Sequence, residues 1–233
     1  MPVFRQDFDA DFDAVAAALS PEYDGPSFAL ARYADGEDAI MDGRPHVAKS
    51  DHWRFDGEGA FGLAAELHAS LTCDLPGWHV GITAEEHHPQ IHGSLLDEAK
   101  VPMDRVTFAE LFIFANYRRW RKLSIKHCFI VAPSEKATIV VHPNAVNRHP
   151  VELYDLAFKL IAWAKRPILL AAGPAACVIA HIYWQRCPPE DRQVILDVGS
   201  ALDPFLKGRK TRQYHHPNKP QASWRPKWKL DSQ

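Results

Sequence analysis

Apolar and polar positions along the chain follow two rhythms. Short apolar runs bounded by turn residues predict strands over residues 26–34 (PSFALARYA), 78–82 (WHVGI), 127–133 (HCFIVAP), 138–143 (TIVVHP), 168–173 (ILLAAG) and 193–203 (QVILDVGSALD). Longer stretches with apolar residues three and four apart predict helices over 8–19, 60–71, 107–123, 151–166 and 174–186. For 107–123, Thr107 is the expected N-cap and Glu110 the second half of a capping box. Ser20-Pro21 ends the first helix and Pro167 the fourth. Residues 83–104 read as irregular and histidine-rich, with Pro89 set against a regular helix. ILLAAG is apolar throughout, as expected of a strand buried on both faces of a parallel sheet. Strands alternating with helices predict an α/β fold, a Rossmann-like, mostly parallel sheet with helices on both faces. One domain over residues 1–206 and a basic, Pro- and aromatic-rich tail over 207–233 is the expected organisation; there is no internal repeat.

Composition narrows this picture. With 233 residues, 46% of them hydrophobic, the chain can bury a full core without covalent staples, and it is not disordered. The longest apolar stretch is broken by Gly173-Pro174 and His181, which argues against a membrane span. The acidic N-terminus lacks a signal core. Cys73, Cys128, Cys177 and Cys187 show no CxxC spacing, so neither a zinc knuckle nor a disulfide framework is expected. A reducing, cytoplasmic setting is therefore the expectation.

Net charge is −2, but it is unevenly spread. Residues 1–66 hold fourteen acids against five Lys/Arg, whereas residues 207–230 hold eight Lys/Arg and no acid. Lys207, Arg209, Lys210, Arg212 and Lys227, with Tyr214, Trp224 and Trp228 as stacking faces, would suit an arm for nucleic-acid phosphates. The alternative is a solvated tail that packs its aromatics on the body.

In open α/β sheets, ligands bind beyond the carboxyl ends of the strands, and three strand ends here carry suitable chemistry. At the first, Arg32, Asp35, Gly36 and Glu37 follow an apolar run. In an extended segment residues i and i+2 share a side, so Asp35 and Glu37 could converge on a hard divalent cation, with Gly36 permitting a tight backbone. An ordinary Asp-Gly turn is the competing reading. At the second, Gly173 leads into a helix with Pro174 suited to its first position. The N–H groups of Ala175, Ala176 and Cys177 would then be free for a phosphate, unless this is a plain β–α junction. At the third, Asp197, Gly199, Ser200 and Asp203 follow an apolar strand. Asp197 could hold a hydroxyl and Asp203 act as a base, or Ser200 and Asp203 could simply cap a turn.

Other motifs are weaker. Residues 57–62 spell a formal GxGxxG, but the preceding SDHWRFD is not the apolar strand a dinucleotide site needs. Glu85, Glu86, His87, His88 and His92 lack firm zinc geometry and read as an exposed loop. Asp7, Asp9, Asp11 and Asp13 lack the glycine and glutamate of a calcium loop and read as a solvated helix face with its cap.

Taken in order, the three strand ends resemble the GT-D type of glycosyltransferase over roughly residues 27–206. Members of that family carry an Arg-Phe-Gly-Asp-Gly-Glu-like segment, matched by Arg32-Tyr33-Ala34-Asp35-Gly36-Glu37. A Gly-Pro after a late strand is matched by Gly173-Pro174-Ala175-Ala176, and an Asp-Ile-Gly-like strand end by Asp197-Val198-Gly199-Ser200. AELFIFANYRRW is similar to a family helix ending in Asn-Tyr, which would bring Asn116 and Tyr117 toward the pocket. Ala34 departs from the signature's first glycine, and Ser200 stands where some members have histidine. The resemblance implies transfer of a sugar from a nucleoside-diphosphate sugar, with uridine the expected base. It implies Mn²⁺ or Mg²⁺ at Asp35 and Glu37, and a nucleotide held by Arg32, Asp35, Gly36, Glu37, Gly173, Pro174, Ala175, Gly199 and Ser200. Asp203 or Asp197 would be the base if the anomeric centre inverts. The acceptor would be a hydroxymethylated base in DNA, reached with the basic tail, or else a glycan, glycopeptide or small molecule. A non-catalytic nucleotide-sugar-binding module is the remaining alternative.

Overall fold

The computed structural model describes residues 2–48, 53–57, 61–142 and 150–228. Its elements in chain order are α1 (Phe8–Ala17), β1 (Ala29–Tyr33), α2 (Asp35–Met41), β2 (His46–Ala48), β3 (Trp53–Phe55), α3 (Phe61–Leu71), β4 (Trp78–Ile82), α4 (Pro89–Glu98), β5 (Val106–Phe108), α5 (Tyr117–Trp120), β6 (Phe129–Ala132), β7 (Ile139–Val140), α6 (Pro150–Trp163), β8 (Ile168–Leu170), α7 (Ala175–Arg186), β9 (Ile195–Asp197) and α8 (Asp203–Lys207). Seven strands form one sheet in the order β5-β4-β1-β9-β8-β6-β7, parallel throughout. The fold is α/β and Rossmann-like, as the alternating pattern predicts. β2 and β3 pair separately as a short antiparallel hairpin.

Strand residues alternate between two cores, one on each face of the sheet. Ala29, Ala31 and Tyr33 of β1, Ile168 and Leu170 of β8, and Ile195 of β9 pack with α3, α4, α6 and α7. Leu30, Leu169 and Leu196, from the same strands, pack on the other side with Phe12 and Val15 of α1, Trp120 of α5, Leu206 of α8 and Tyr214 of the tail. From β1 through β4 to β5, and from β6 through β8 to β9, the chain steps across the sheet in the same direction. Right-handed crossovers then place the long connecting helices on one face. The first and last strands are neighbours at the centre, and their ladder is short: Ala29 pairs with Ile195 and Leu30 with Leu196. Beyond that pair β1 continues to Tyr33 against β4 alone, which leaves a crevice at the carboxyl edge.

Several expectations are corrected. Residues 107–123 are not one helix: β5 ends at Phe108, a turn and a 3₁₀ segment (Phe114–Asn116) follow, and only Tyr117–Trp120 is α-helical. Thr107 caps nothing; its hydroxyl donates to Asp11 at 2.7 Å. Asp11 is therefore buried rather than solvated, while Asp7 does cap α1, accepting from the N–H groups of Asp9 and Ala10. Residues 83–104 hold the regular helix α4, because Pro89 occupies its first position, where no N–H is needed. The strand expected over 193–203 stops at Asp197 and gives way to a 3₁₀ turn and α8. Of the formal GxGxxG, residues 58–60 lie outside the described residues. Among those described, no helix is long and apolar enough to cross a membrane.

Candidate active site at the carboxyl edge

The crevice beyond β1, β8 and β9 holds two adjoining cavities of about 200 and 210 Å³. Arg32, Asp35, Glu37, Gly173, Gly199 and Ser200 line both of them. The three strand ends singled out in the sequence thus meet in one place.

Local conformation differs from expectation at the first end. Asp35 and Glu37 lie in the opening turn of α2, not in an extended segment. At about 100° per residue they project some 200° apart around its axis. Asp35 is exposed at the mouth, whereas Glu37 folds back so that its carboxylate accepts the Ala34 N–H at 3.0 Å. Burial, with the Asp197 charge adding, pushes the Glu37 carboxyl up to about 7. Both carboxylates nevertheless line the same two cavities.

Arg32 reaches across the gap where the β1–β9 ladder ends. It donates to the Ala109 carbonyl at 2.7 Å and lies 3.5 Å from Asp197. Asp197 is buried, and the same oxygen that faces Arg32 accepts the Gly199 N–H at 3.0 Å. This carboxylate fixes Arg32 and the β9 turn instead of standing free. Gly199 has φ +47°, and a Cβ there would overlap the Arg32 guanidinium, so both backbone and packing require glycine.

Gly173, with φ +57°, lines both cavities, but Pro174 and Ala175 are buried and line neither. Pro174 is the N-cap of α7 and not its first residue, and the Ala176 N–H is already bonded to the Gly173 carbonyl at 2.8 Å. The expected row of free N–H donors is reduced accordingly. Trp53 supplies what the sequence reading missed. Its indole from β3 covers Gly36 and Gly173, where added Cβ atoms would sit 3.0 and 2.9 Å from the ring. Gly36 is therefore small for Trp53 and lines neither of these two cavities. No local signal in SDHWRFD marks this role.

Asp203 lines the first cavity, but both of its oxygens are engaged, one by Lys207 at 2.9 Å and one by the Thr211 hydroxyl at 2.6 Å. That makes it a strut between α8 and the tail and a poor proton acceptor. The Ser200 hydroxyl bonds to Tyr214 at 2.6 Å. A second missed pair lies across the crevice. Glu110, only 3% exposed, accepts from the Thr83 hydroxyl at 2.7 Å and the Ala84 N–H at 3.2 Å, and meets His87 Nδ1 at 3.0 Å. Asn116 donates to the Phe8 carbonyl and Tyr117 is buried in the core, so neither faces the pocket.

The tail lies against the body. Tyr214 is buried, Trp224 meets Phe114 edge-on at 4.5 Å between centroids, and Trp228 meets His92 at 4.7 Å. Trp224 is half-buried and packed edge-on against Phe114. Lys207 pairs with Asp203 and Arg225 with Asp9, while Arg209, Lys210 and Lys227 are exposed.

No family model matches this sequence, and no curated protein does. Among solved structures, one described as the selenomethionine-substituted structure of domain of unknown function 1792 aligns with a TM-score of 0.51. Identity is 15%, over 84% of this chain and 81% of that one. The chain has the DUF1792 fold. A second structure of the same domain, described as having a distinct glycosyltransferase fold, gives a TM-score of 0.49 at 16% identity, again over 84% and 81%. At such identities the likeness speaks for the fold alone.

Proposed function

We propose that this chain is a metal-dependent glycosyltransferase that moves a sugar from a nucleoside-diphosphate sugar, with uridine as its base, to a hydroxyl acceptor. The observation that carries this reading is the meeting of Asp35, Glu37 and Arg32 with Gly173 and Gly199 in one crevice at the central strand ends of a DUF1792 fold. The donor chemistry suits Mn²⁺ or Mg²⁺. Among the described residues no group of three His, Cys, Asp or Glu forms a closed metal cage. Two carboxylates lining the same open crevice would suit an ion shared with diphosphate oxygens rather than one caged by protein alone. When bound, such an ion neutralises charge on the departing diphosphate. Asp35 and Glu37 would hold it. The Ala34 N–H orients Glu37, and Asp197 keeps Arg32 in the floor of the crevice.

For the acceptor, the packed rings of Tyr214 and Trp224 favour a glycan, glycopeptide or small molecule over a DNA base stacked on the tail. Exposed Arg209, Lys210 and Lys227 keep the DNA reading testable. Replacing these three by Glu and measuring duplex binding against salt separates the two: unchanged binding removes the tail as a DNA arm. The central experiment is calorimetry of UDP with Mn²⁺. Asp35→Ala and Glu37→Ala should each abolish metal-dependent binding while the circular-dichroism spectrum stays unchanged. Binding that persists in both variants would refute the assignment.

A further inference from the structure

His87 stands at a junction. It lines the 210 Å³ cavity together with Asp35, Glu37 and Arg32. It also lines a third cavity of about 420 Å³ on the other side, walled by Ile113, Phe114, Thr211, Arg212, Tyr214 and Gln221. The two cavities share His87, Ile113 and Ser200. One holds the acidic pair, and the other is an open hollow lined by the C-terminal segment, which Ser200–Tyr214 and Asp203–Thr211 hydrogen bonds pin in place.

The imidazole is held as a proton acceptor should be. Its Nδ1 faces the buried Glu110, whose carboxylate can only accept, so the proton sits on Nδ1 and the lone pair on Nε2. Glu110 is in turn fixed by Thr83 and Ala84, and the ring is braced by Trp224 and Phe114 edge-on. The His87 side chain is 42% exposed, whereas Asp197 and Asp203 are buried and engaged. A hydrogen-bonded carboxylate behind a half-open histidine is the arrangement by which a base is oriented and its cationic form stabilised.

Building on the glycosyltransferase reading, we propose that His87, positioned by Glu110, is the general base for transfer and that the cavity walled by the C-terminal segment receives the acceptor. The acceptor O–H bond breaks and its proton passes to His87 Nε2. The freed oxygen forms the new bond to the anomeric carbon while the bond from that carbon to the diphosphate breaks, its electron pair leaving with the phosphate. The configuration inverts. The amides of Gln213 and Gln221 beside the Arg212 guanidinium offer hydrogen-bonding groups that suit a hydroxylated acceptor such as a sugar.

The charged groups around His87 are Glu110 behind it, Asp35, Glu37, Arg32 and Asp197 across the 210 Å³ cavity, Arg212 in the other, and the neighbouring His88 ring. Glu110 raises the His87 pKa from its ordinary 6.5, partly opposed by burial. The rate should therefore fall on acidification with a limb above that value.

The test uses the full chain with Mn²⁺. The donors are UDP-glucose, UDP-galactose and UDP-N-acetylglucosamine. The acceptors are free monosaccharides, a Ser/Thr peptide, duplex DNA containing 5-hydroxymethylcytosine, and water. His87→Gln should lower kcat roughly 10²–10⁴-fold and remove the acid limb, with UDP affinity within about threefold of the parent. Glu110→Gln should lower kcat less and move the limb to lower pH. Product NMR should show a β linkage from these α-linked donors. A His87→Gln rate within threefold of the parent, an α-linked product, or a parent that binds UDP but turns over no pair would each overturn the His87 assignment while leaving the nucleotide site intact. Failure of the parent to bind UDP with Mn²⁺ would instead overturn the glycosyltransferase reading beneath it.

Discussion

His79 makes the stability of this chain depend on pH in a way that can be worked out from its surroundings. It sits on β4, 2% exposed, with its ring edge-on to Phe4 at 5.0 Å and Phe28 at 5.6 Å. Neither ring nitrogen has a hydrogen-bond partner of good geometry. Burial, aided by the Arg105 charge, lowers its pKa from 6.5 to about 3; the backbone of Arg105 opposes this only weakly. Above pH 6.5 the ring is neutral in both folded and unfolded chains and contributes no pH dependence. Below 6.5 the unfolded chain takes up a proton that the folded chain refuses until about pH 3, so stability falls as pH falls. At 1.36 kcal/mol per pKa unit, the loss from His79 between pH 7.5 and pH 5 is about 2 kcal/mol. His215, lowered to about 4 by burial, adds a second loss of the same sign in parent and variant alike, so it cancels from their difference. The experiment is urea denaturation of the parent and His79→Phe at both pH values. The variant should lose about 2 kcal/mol less than the parent on acidification. An identical loss in both would refute the claim that His79 stays neutral in the folded protein.

Gly199→Ala should cost upward of ~2 kcal/mol, since the left-handed backbone alone costs about 1–2 and the new Cβ must displace Arg32. It should also weaken UDP binding, and calorimetry with denaturation checks both; near-neutral behaviour in each would contradict the packing described. Thr107→Val deprives the buried Asp11 of its 2.7 Å hydroxyl donor and should cost about 1–3 kcal/mol by thermal denaturation, leaving UDP affinity unchanged.

The sequence made the sheet legible because its strands are buried on both sides and read as unbroken apolar runs, as WHVGI and ILLAAG do. The three site segments were legible as well, because glycines and acids stand at strand ends. Long-range partners account for the failures. Thr107 and Glu110 have the spacing of a helix start, yet their hydrogen bonds go to Asp11, 96 residues away, and to Thr83 and His87 in the preceding loop. Local pattern cannot see such competition. Pro89 reads as a breaker from sequence alone, although a helix tolerates it at its first position. Trp53 is recognisable only once the chain is folded, from two glycines over a hundred residues apart that both lie beneath its ring.

The pairing of β1 with β9 has a consequence for how the molecule comes into being. Its signature acids, Asp35 and Glu37, are made early, yet the wall facing them includes Gly199 and Ser200, near the end of the chain. A nascent polypeptide emerging from the ribosome can assemble β1, β4 and β5 long before β9 exists to dock beside them. The crevice is therefore among the last features to form. Proteins cut short before residue 195 should be blind to nucleotide even where their first half folds.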